Sequence, residues 1–553
     1  MNPLALVTAV ALPLGLAGAL AWPAGRRSIV ALAPWAALPA LACALWPPPT
    51  AIDAPRWLIG LRLGVDDTGR TFLLFTALLW LVAGWAARSY HVQDARRHVM
   101  WGFWLAALAG NVWLIVALDA AGFYTGFALM TFASYGLVVH TGSAEARSAG
   151  RVYLVLAVLG EAALLAGLLL RVSTLGSTAL PLAPLSGASD LWAVTLLFAG
   201  FGVKAGVAGL HMWLPLAHPV APTPASSVLS GAMIKAGVLG WLRFLPLGGD
   251  AWPVFGACVI VLGLVGAFGA VALGLTQRAP KTLLAYSSVS QMGFIAIAVG
   301  AALLAPGAGP ALVLAIAVYA LHHGLAKGAL FLGVAAMPAR GTARGLAFAA
   351  LALPALSLAG APWTSGALAK QAMKAAIAPL PPPWPATLAM LLPAAAVGTT
   401  LLMARFLLAL VEETPPPKRG MVWPWLAAVV LSLGIVWLVV PAAQPGTACA
   451  AALPPALGIA LAAGAARRRA FAAGAGSRIA AGDILAWLVP LAEAAWRLLL
   501  GLATAADRAQ QSAPPAIAVQ RMVRAEGVLR RFPIAGLMLL LVLAGALLAQ
   551  WYR

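Results

Sequence analysis

The sequence carries little charge, and very little of that is negative. Only 9% of its 553 residues are Asp, Glu, Lys or Arg, where a soluble domain carries about 25%. Acidic residues number 15 against 35 basic ones. No stretch is polar enough to form a separate water-soluble domain. Cysteine is scarce too: Cys43, Cys258 and Cys449 are scattered, with neither a disulfide framework nor metal-ligand spacing. The dipeptide Gly-Lys never occurs, which excludes a phosphate-binding loop and ATP as the driving force within this chain. Flavin, haem, iron–sulfur and nicotinamide motifs are also missing. The expectation is a chain with no cofactor and no metal of its own, whose redox chemistry, if any, belongs to a partner.

What the sequence has is apolar length. Hydrophobic residues make up 63% of it, in runs near 20 residues, each enough to cross a hydrocarbon core of ~30 Å. The runs are 3–22, 28–46, 71–87, 99–118, 120–140, 151–171, 191–212, 225–246, 253–276, 282–304, 311–337, 346–376, 387–411, 422–441, 450–466 and 533–551. The first resembles a signal peptide but reads as a retained helix, because nothing soluble follows it. The predicted fold is an all-α integral membrane protein of about 14–16 transmembrane helices.

A net charge of +20 raises the question of nucleic acid, and the placement of the charges answers it. Arg26, Arg27, Arg88, Arg96, Arg97, Arg147, Arg278, Lys281, Arg340, Arg344, Lys418, Arg419 and Arg467–Arg469 all fall in loops on one side of the predicted spans. That is the positive-inside pattern of a membrane protein and not a nucleic-acid surface. It puts the N-terminus outside a bacterial-type inner (plasma) membrane. The opposite side holds few basic residues, chiefly Arg56, Arg62 and Arg70.

Two runs are too long for one straight helix. Residues 346–376 would extend ~46 Å and contain Gly360, Pro362 and Gly366; residues 191–222 carry Pro215, Pro219 and Pro222. Interrupted helices at corresponding places in two halves point to inverted repeats with the site at the breaks. Alternation around Leu61, Leu63 and Val65, followed by Asp66-Asp67-Thr68-Gly69, predicts an external β-hairpin within Trp57–Phe72. Residues 476–509 place Arg478, Asp483, Glu493, Arg497, Asp507 and Arg508 on an arc of roughly 140°. They read as an amphipathic helix on the cytoplasmic membrane surface, followed by a final span.

The lysines carry the functional argument. Arginine dominates the loops, whereas Lys204, Lys235, Lys327, Lys370 and Lys374 fall inside predicted spans. A cation at the bilayer centre costs about 2.5–3.5 kcal/mol on insertion scales. A buried lysine can release its proton, and arginine does so far less readily, so this division of labour suits a proton relay. The competing reading is lysines that snorkel or tie helices together. His322 and His323 precede Lys327, and His323 shares its helix face; they could equally be interhelical hydrogen-bonders. Glu161 is the sole acid in the middle of a span, and could tune a neighbouring lysine or be a locally paired structural charge. Asp119, at a span end, is expected to be solvated.

Residues 200–246, GFGVKAGVAGLHMWLPLAHPVAPTPASSVLSGAMIKAGVLGWLRFLP, resemble the core motif of proton-translocating antiporter-like subunits. These belong to respiratory complex I, group 4 hydrogenases and formate hydrogenlyases, and multisubunit Na+/H+ antiporters. PKTLLAYSSVSQMGF at 280–294, HHGLAKGALFLG at 322–333 and SLAGAPWTSGALAK at 357–370 match further family segments. The resemblance covers roughly residues 55–410. It implies two inverted five-helix repeats, each with a broken helix, and a polar axis along the midplane through Lys204, Lys235, His323, Lys327 and Lys370. One departure stands out: the family's fifth-helix glutamate falls on Ala128. Either Glu161, one helix later, takes its role, or coupling in the first half is altered. The sequence is similar to a divergent branch nearer hydrogenase-4 component B than a standard complex I subunit.

The expected organisation is N-terminal helices and hairpin at 1–98, a first half-channel repeat at 99–246 and a second at 253–411. C-terminal helices at 422–466, a surface segment at 476–532 and a last span at 533–553 follow. The expected function is proton translocation, within a larger redox-driven complex, along Glu161, Lys204, Lys235, His322, His323, Lys327, Lys370 and Lys374. Expected partners are other membrane subunits, the lipid bilayer and a soluble redox or other driving module. A cation/proton or bicarbonate-linked transport subunit without electron transfer, and a non-conducting membrane anchor, remain as alternatives.

Overall fold

A computed structural model of the chain describes residues 2–58, 60–175, 191–338, 341–412, 418–439 and 448–467, together with the isolated positions Ala481 and Arg497. The amphipathic segment 476–509, those two positions apart, and the last span 533–551 lie outside the described residues. Among those described, 11 helical segments are long and apolar enough to cross a membrane, and three shorter apolar helices accompany them. That total agrees with the predicted multi-span architecture.

The chain begins with α1 (Leu4–Ala19), α2 (Arg26–Leu32) and α3 (Leu38–Leu45). The predicted single span 28–46 is split between the last two, because Pro34 starts a tight 3-10 turn at Ala33–Trp35. Next come α4 (Asp67–Tyr90), α5 (Arg97–Val116), α6 (Ala120–Val138), α7 (Ala144–Leu175), α8 (Leu191–Ala205), α9 (Trp213–Val220), α10 (Thr223–Val228) and α11 (Ile234–Phe244). The second half contains α12 (Pro253–Leu275), α13 (Pro280–Leu304), α14 (Gly309–Ala336), α15 (Thr342–Ala359), α16 (Ser365–Ile377) and α17 (Trp384–Glu412). Helices α18 (Val422–Val439) and α19 (Ala448–Arg467) close the described chain.

The repeat follows from this order. Each group of five spans has its fourth span broken: α8/α9 in the first, α15/α16 in the second. An odd number of crossings reverses direction, so the second group starts from the side opposite the first, and the repeats are inverted.

Helix packing relies on backbone approach. Lipid gives helices no hydrophobic reason to associate, so small residues at the crossing matter. A methyl on Gly256 would sit 2.6 Å from the Gly300 carbonyl, and one on Gly263 2.7 Å from that of Gly293. The reverse contacts are equally close. Two glycine pairs spaced seven residues apart thus lock α12 against α13.

The predicted hairpin exists with different limits. Strand β1 (Ile52–Ala54) pairs antiparallel with β2 (Leu61–Leu63). Asp66 to Gly69 is no turn between strands but the start of α4, where Asp66 Oδ1 accepts the Gly69 N–H at 2.6 Å. The hairpin docks on the α5–α6 connection, where the Gly64 N–H reaches Val116 O at 2.8 Å. This buries Asp119, correcting its expected solvation. Its carboxylate caps α6 through Gly122 N (2.6 Å) and also accepts the Arg62 N–H (2.8 Å).

Candidate functional site

Both broken helices end on glycine in a left-handed conformation. Gly206 has φ +74° and returns its N–H to Gly202 O (2.9 Å), closing α8. Gly360 has φ +88°, donates to Ser357 O (2.9 Å), and Ala361 donates to Leu356 O (3.0 Å), a Schellman termination of α15. Only glycine takes this conformation without steric cost. Each break leaves a half-helix C-terminus inside the membrane, where orphan carbonyls and the helix dipole favour a cation.

A lysine fills that role in each half. Lys204 lies in the last turn of α8, buried, with Nζ donating to the Tyr153 hydroxyl at 3.0 Å. The Tyr153 hydroxyl in turn donates a hydrogen bond to Thr131 O at 2.7 Å. The ammonium also lies 5.4 Å and 5.9 Å from the ring centres of Tyr153 and Trp213. In the second half Lys370, on α16, reaches back so that Nζ donates to Ala359 O, the last residue of α15, at 2.9 Å.

Glu161 lines the same small cavity as Lys204, Tyr153 and Thr131, and the two charges act on each other. Neither Glu161 oxygen has a hydrogen-bond partner among the described residues. Ala128, the position of the missing family carboxylate, is half-buried and does not line this cavity; Phe127 and Thr131 of the same helix do.

Between the breaks runs a line of buried bases. Lys235 follows a π-turn at Leu229–Met233, a feature frequent at functional sites, and donates to the Ser230 carbonyl at 2.5 Å. Lys327 donates to Leu284 O of α13 at 2.8 Å. His323 lies within electrostatic range of Lys235, Lys327 and His322, and His322 within range of Lys235 and Lys370. His322 Nδ1 is 2.8 Å from Ser365 Oγ, at the first residue of α16. Ser365 in turn donates to Ser432 O at 2.7 Å. The helices that carry the first-half lysines meet through backbone: α11 crosses α8 where a methyl on Gly237 would fall 2.4 Å from Phe201 O and 2.7 Å from Ala205 N. Lys204 and Lys235 therefore stem from crossing helices. Both ring nitrogens of His218 and His323, and Nε2 of His322, have no hydrogen-bond partner among the described residues. Buried polar atoms ordinarily have partners, so these nitrogens are exceptions within the described core.

Two members were missed from sequence. Lys281, by span count at a membrane edge, donates to the Ala221 carbonyl in the α9–α10 connection. His218, fully buried, lies within range of Lys281, Lys327 and Lys235. The only signal for either was its place inside the quoted segments. Lys374, by contrast, is exposed, and it lines a cavity of about 620 Å³ together with Lys370, Phe294 and Gly360. That cavity follows α16 to the N-terminal parts of α17 and α19.

Comparison with known proteins accords with this geometry. Residues 117–377 match the family model described as "NADH:quinone oxidoreductase/Mrp antiporter, TM". The chain is 31% identical over 440 residues to NADH-quinone oxidoreductase subunit N of Cereibacter sphaeroides, covering 74% of this chain and 94% of that one. It is 30% identical over 299 residues to hydrogenase-4 component B of Escherichia coli, covering 51% of this chain and 44% of that protein, less than half its length. The fold is that of a chain in the Mrp complex from Dietzia sp. (TM-score 0.69, 22% identity, covering 92% of this chain and 63% of that one). The chain belongs to the antiporter-like membrane subunits of the NADH:quinone oxidoreductase/Mrp antiporter family.

Proposed function

We propose that this chain translocates protons as a membrane subunit of a larger redox-driven complex, along Glu161, Lys204, Lys235, His322, His323, Lys327 and Lys370. His218 and Lys281 offer a branch toward the arginine-rich side. The observation that carries this reading is the succession of bases from the buried Lys327, His323 and His322 to the half-buried Lys370, each acting electrostatically on the next, with imidazole nitrogens that no described residue satisfies. Lysine and histidine exchange protons; a structural tie between helices would gain from arginine or from paired charge. Lys374, exposed and lining the same cavity as Lys370, takes the last position. The arginine bias supports placing the N-terminus outside, in a bacterial inner membrane. We further propose that other membrane subunits and a soluble driving module complete the machine, and that the half-repeats run over 99–246 and 253–411.

The test is to purify the chain with the subunits that accompany it in its native membrane and reconstitute the assembly in vesicles. Electron-transfer substrate should then generate a pH gradient, read by dye quenching, that Lys204→Ala abolishes while assembly persists. A gradient that needs only a Na+ gradient and no redox substrate would instead identify a cation/proton antiporter subunit. Unchanged pumping by the variant would remove Lys204 from the route.

A further inference from the structure

Outside this line, two histidines close on one carboxylate where α4 turns into α5 and α6 turns into α7. His91 Nδ1 lies 2.8 Å, and His140 Nε2 2.6 Å, from the same oxygen, Asp94 Oδ2. The imidazole rings are 5.4 Å apart and nearly perpendicular, at 82°. Their side chains are 6% and 7% exposed, and that of Asp94 23%. All three potential ligand atoms lie within 4.8 Å of one another. Asp94 and His140 stand 46 positions apart in sequence, and the translocation route uses none of the three residues.

We propose that His91, Asp94 and His140 form a binding site for a first-row divalent transition ion such as Zn2+, with a fourth position left to water. Two imidazoles and one carboxylate suit zinc, cobalt, nickel or copper; magnesium and calcium require more oxygen ligands. Zinc takes nitrogen and oxygen donors at about 2.0–2.2 Å, so tetrahedral neighbours stand roughly 3.3 Å apart. The present N···O separations are hydrogen-bond lengths, and each must open by about half an ångström to admit the ion.

Protonation also fits. Burial alone would raise the Asp94 carboxyl, but hydrogen bonds from His140, His91 and the Arg96 backbone N–H bring it down to about 2. In the metal-free arrangement each imidazole donates an N–H to the ionised carboxylate. On binding, the ion takes the lone pair at that nitrogen and the proton moves to the opposite ring nitrogen through solvent. The exchange only moves a proton between the two nitrogens of each ring. Two cations oppose an ion here: Arg96, whose Nη2 donates to His140 O at 2.7 Å, and Lys418, whose charge acts on His91. Affinity must therefore come from imidazole ligation and not from negative potential, which again selects a transition ion. A bound ion would staple the α4–α5 loop to the end of α6, the helix that supplies Phe127 and Thr131 to the Glu161–Lys204 cavity.

The test is titration of the full, tag-free chain in nanodiscs, with Co2+ followed by its d–d absorption and Zn2+ competed against a chromophoric chelator. His91→Asn and His140→Gln keep an amide N–H able to reach Asp94, and so keep the clamp while losing the ligand. One saturable equivalent is expected in the native chain, weakened at least about 100-fold in each variant, which exceeds the 10–100-fold typical of supporting residues. His98→Ala should bind like the native chain. No saturable Co2+ band in the native chain, or equal affinity in a His91→Asn/His140→Gln double variant that keeps the native melting temperature, would overturn the site.

Discussion

Replacing Glu161 by glutamine probes the first half of the route most directly. The substitution keeps shape and removes one charge. Lys204 then retains the Tyr153 hydroxyl at 3.0 Å and two aromatic faces, but loses the carboxylate with which it shares a cavity. Removing one partner of a buried ion pair costs about 3–5 kcal/mol. At 1.36 kcal/mol per decade this makes the ammonium form roughly 100- to 5,000-fold less populated than in the native protein. Translocation through the first half should fall by at least about two decades, while the complex assembles. Vesicles holding the purified complex, assayed by dye quenching beside electron transfer, give the measurement. The double variant Glu161→Gln/Lys204→Met separates electrostatics from folding. With both charges gone its melting temperature should recover to the native value or above, yet pumping should stay absent. Native pumping by Glu161→Gln would refute the reasoning. So would a double variant less stable than the single one, since the pair would then be structural. Because Thr131 and not Ala128 faces the cavity, Thr131→Glu should restore part of the activity to Glu161→Gln, and Ala128→Glu should not.

Further outcomes follow from particular contacts. Lys235→Met should block translocation without loss of assembly, and Lys204→Arg should block it as well, because arginine does not release its proton readily; dye quenching reads both. Gly366→Ala would place a methyl 1.7 Å from Ser357 O and 3.0 Å from His322 Cε1, prying α15 from α16; a loss of about 3 kcal/mol should appear in thermal melts. Arg243 donates to Leu114 O, Ala117 O and Ile115 O at the end of α5 and to Asp66 (3.0, 2.9, 2.8 and 2.9 Å); Arg243→Lys should cost about 1–3 kcal/mol by leaving some of those carbonyls unpaired. The Asp94 carboxyl is depressed in the folded state to about 2 from 3.8, so its stabilisation is present above pH 3.8 and disappears as the pH falls through 2. Asp94→Asn should therefore lower stability by about 1–2 kcal/mol at neutral pH, allowing for solvent screening, and the gap to the native chain should narrow in melts below pH 4.

How far the sequence could be read depended on whether the governing interaction was local. Span length, helix breaks and lysine depth are local quantities. Gly360 with Pro362 announced a broken helix, and its left-handed turn at φ +88° is the reason. The family motifs placed Lys204, Lys235, His323, Lys327 and Lys370 on the elements where the structure has them. Features that depend on what another part of the chain does were less legible. Asp119 looked like a solvated span end because nothing near it in sequence could show that the hairpin, 57 residues earlier at Arg62, folds over its carboxylate. Lys281 looked peripheral because counting residues from a span edge does not register that Ala221, 60 residues away, reaches down to it.

Helix rotation is the other unreadable quantity, and it decides the Glu161 question. Successive residues on a helix point about 100° apart, so a motif position correct to one residue still leaves the facing direction undetermined. Ala128 is the aligned position of the missing glutamate, yet Phe127 and Thr131, one helical turn apart, are the residues turned toward Lys204. A divergent member of the family can therefore lose its usual carboxylate without losing the charge pair, provided another helix offers an acid to the same cavity. Glu161 meets that condition through its place on α7, which packs along α8. On the proposed route the requirement at this position is thus a negative charge in the Lys204 cavity, not an acid at one aligned residue. Lys204 without it would be a lone cation among Tyr153, Trp213 and a spent helix end, an arrangement the membrane interior penalises by several kcal/mol.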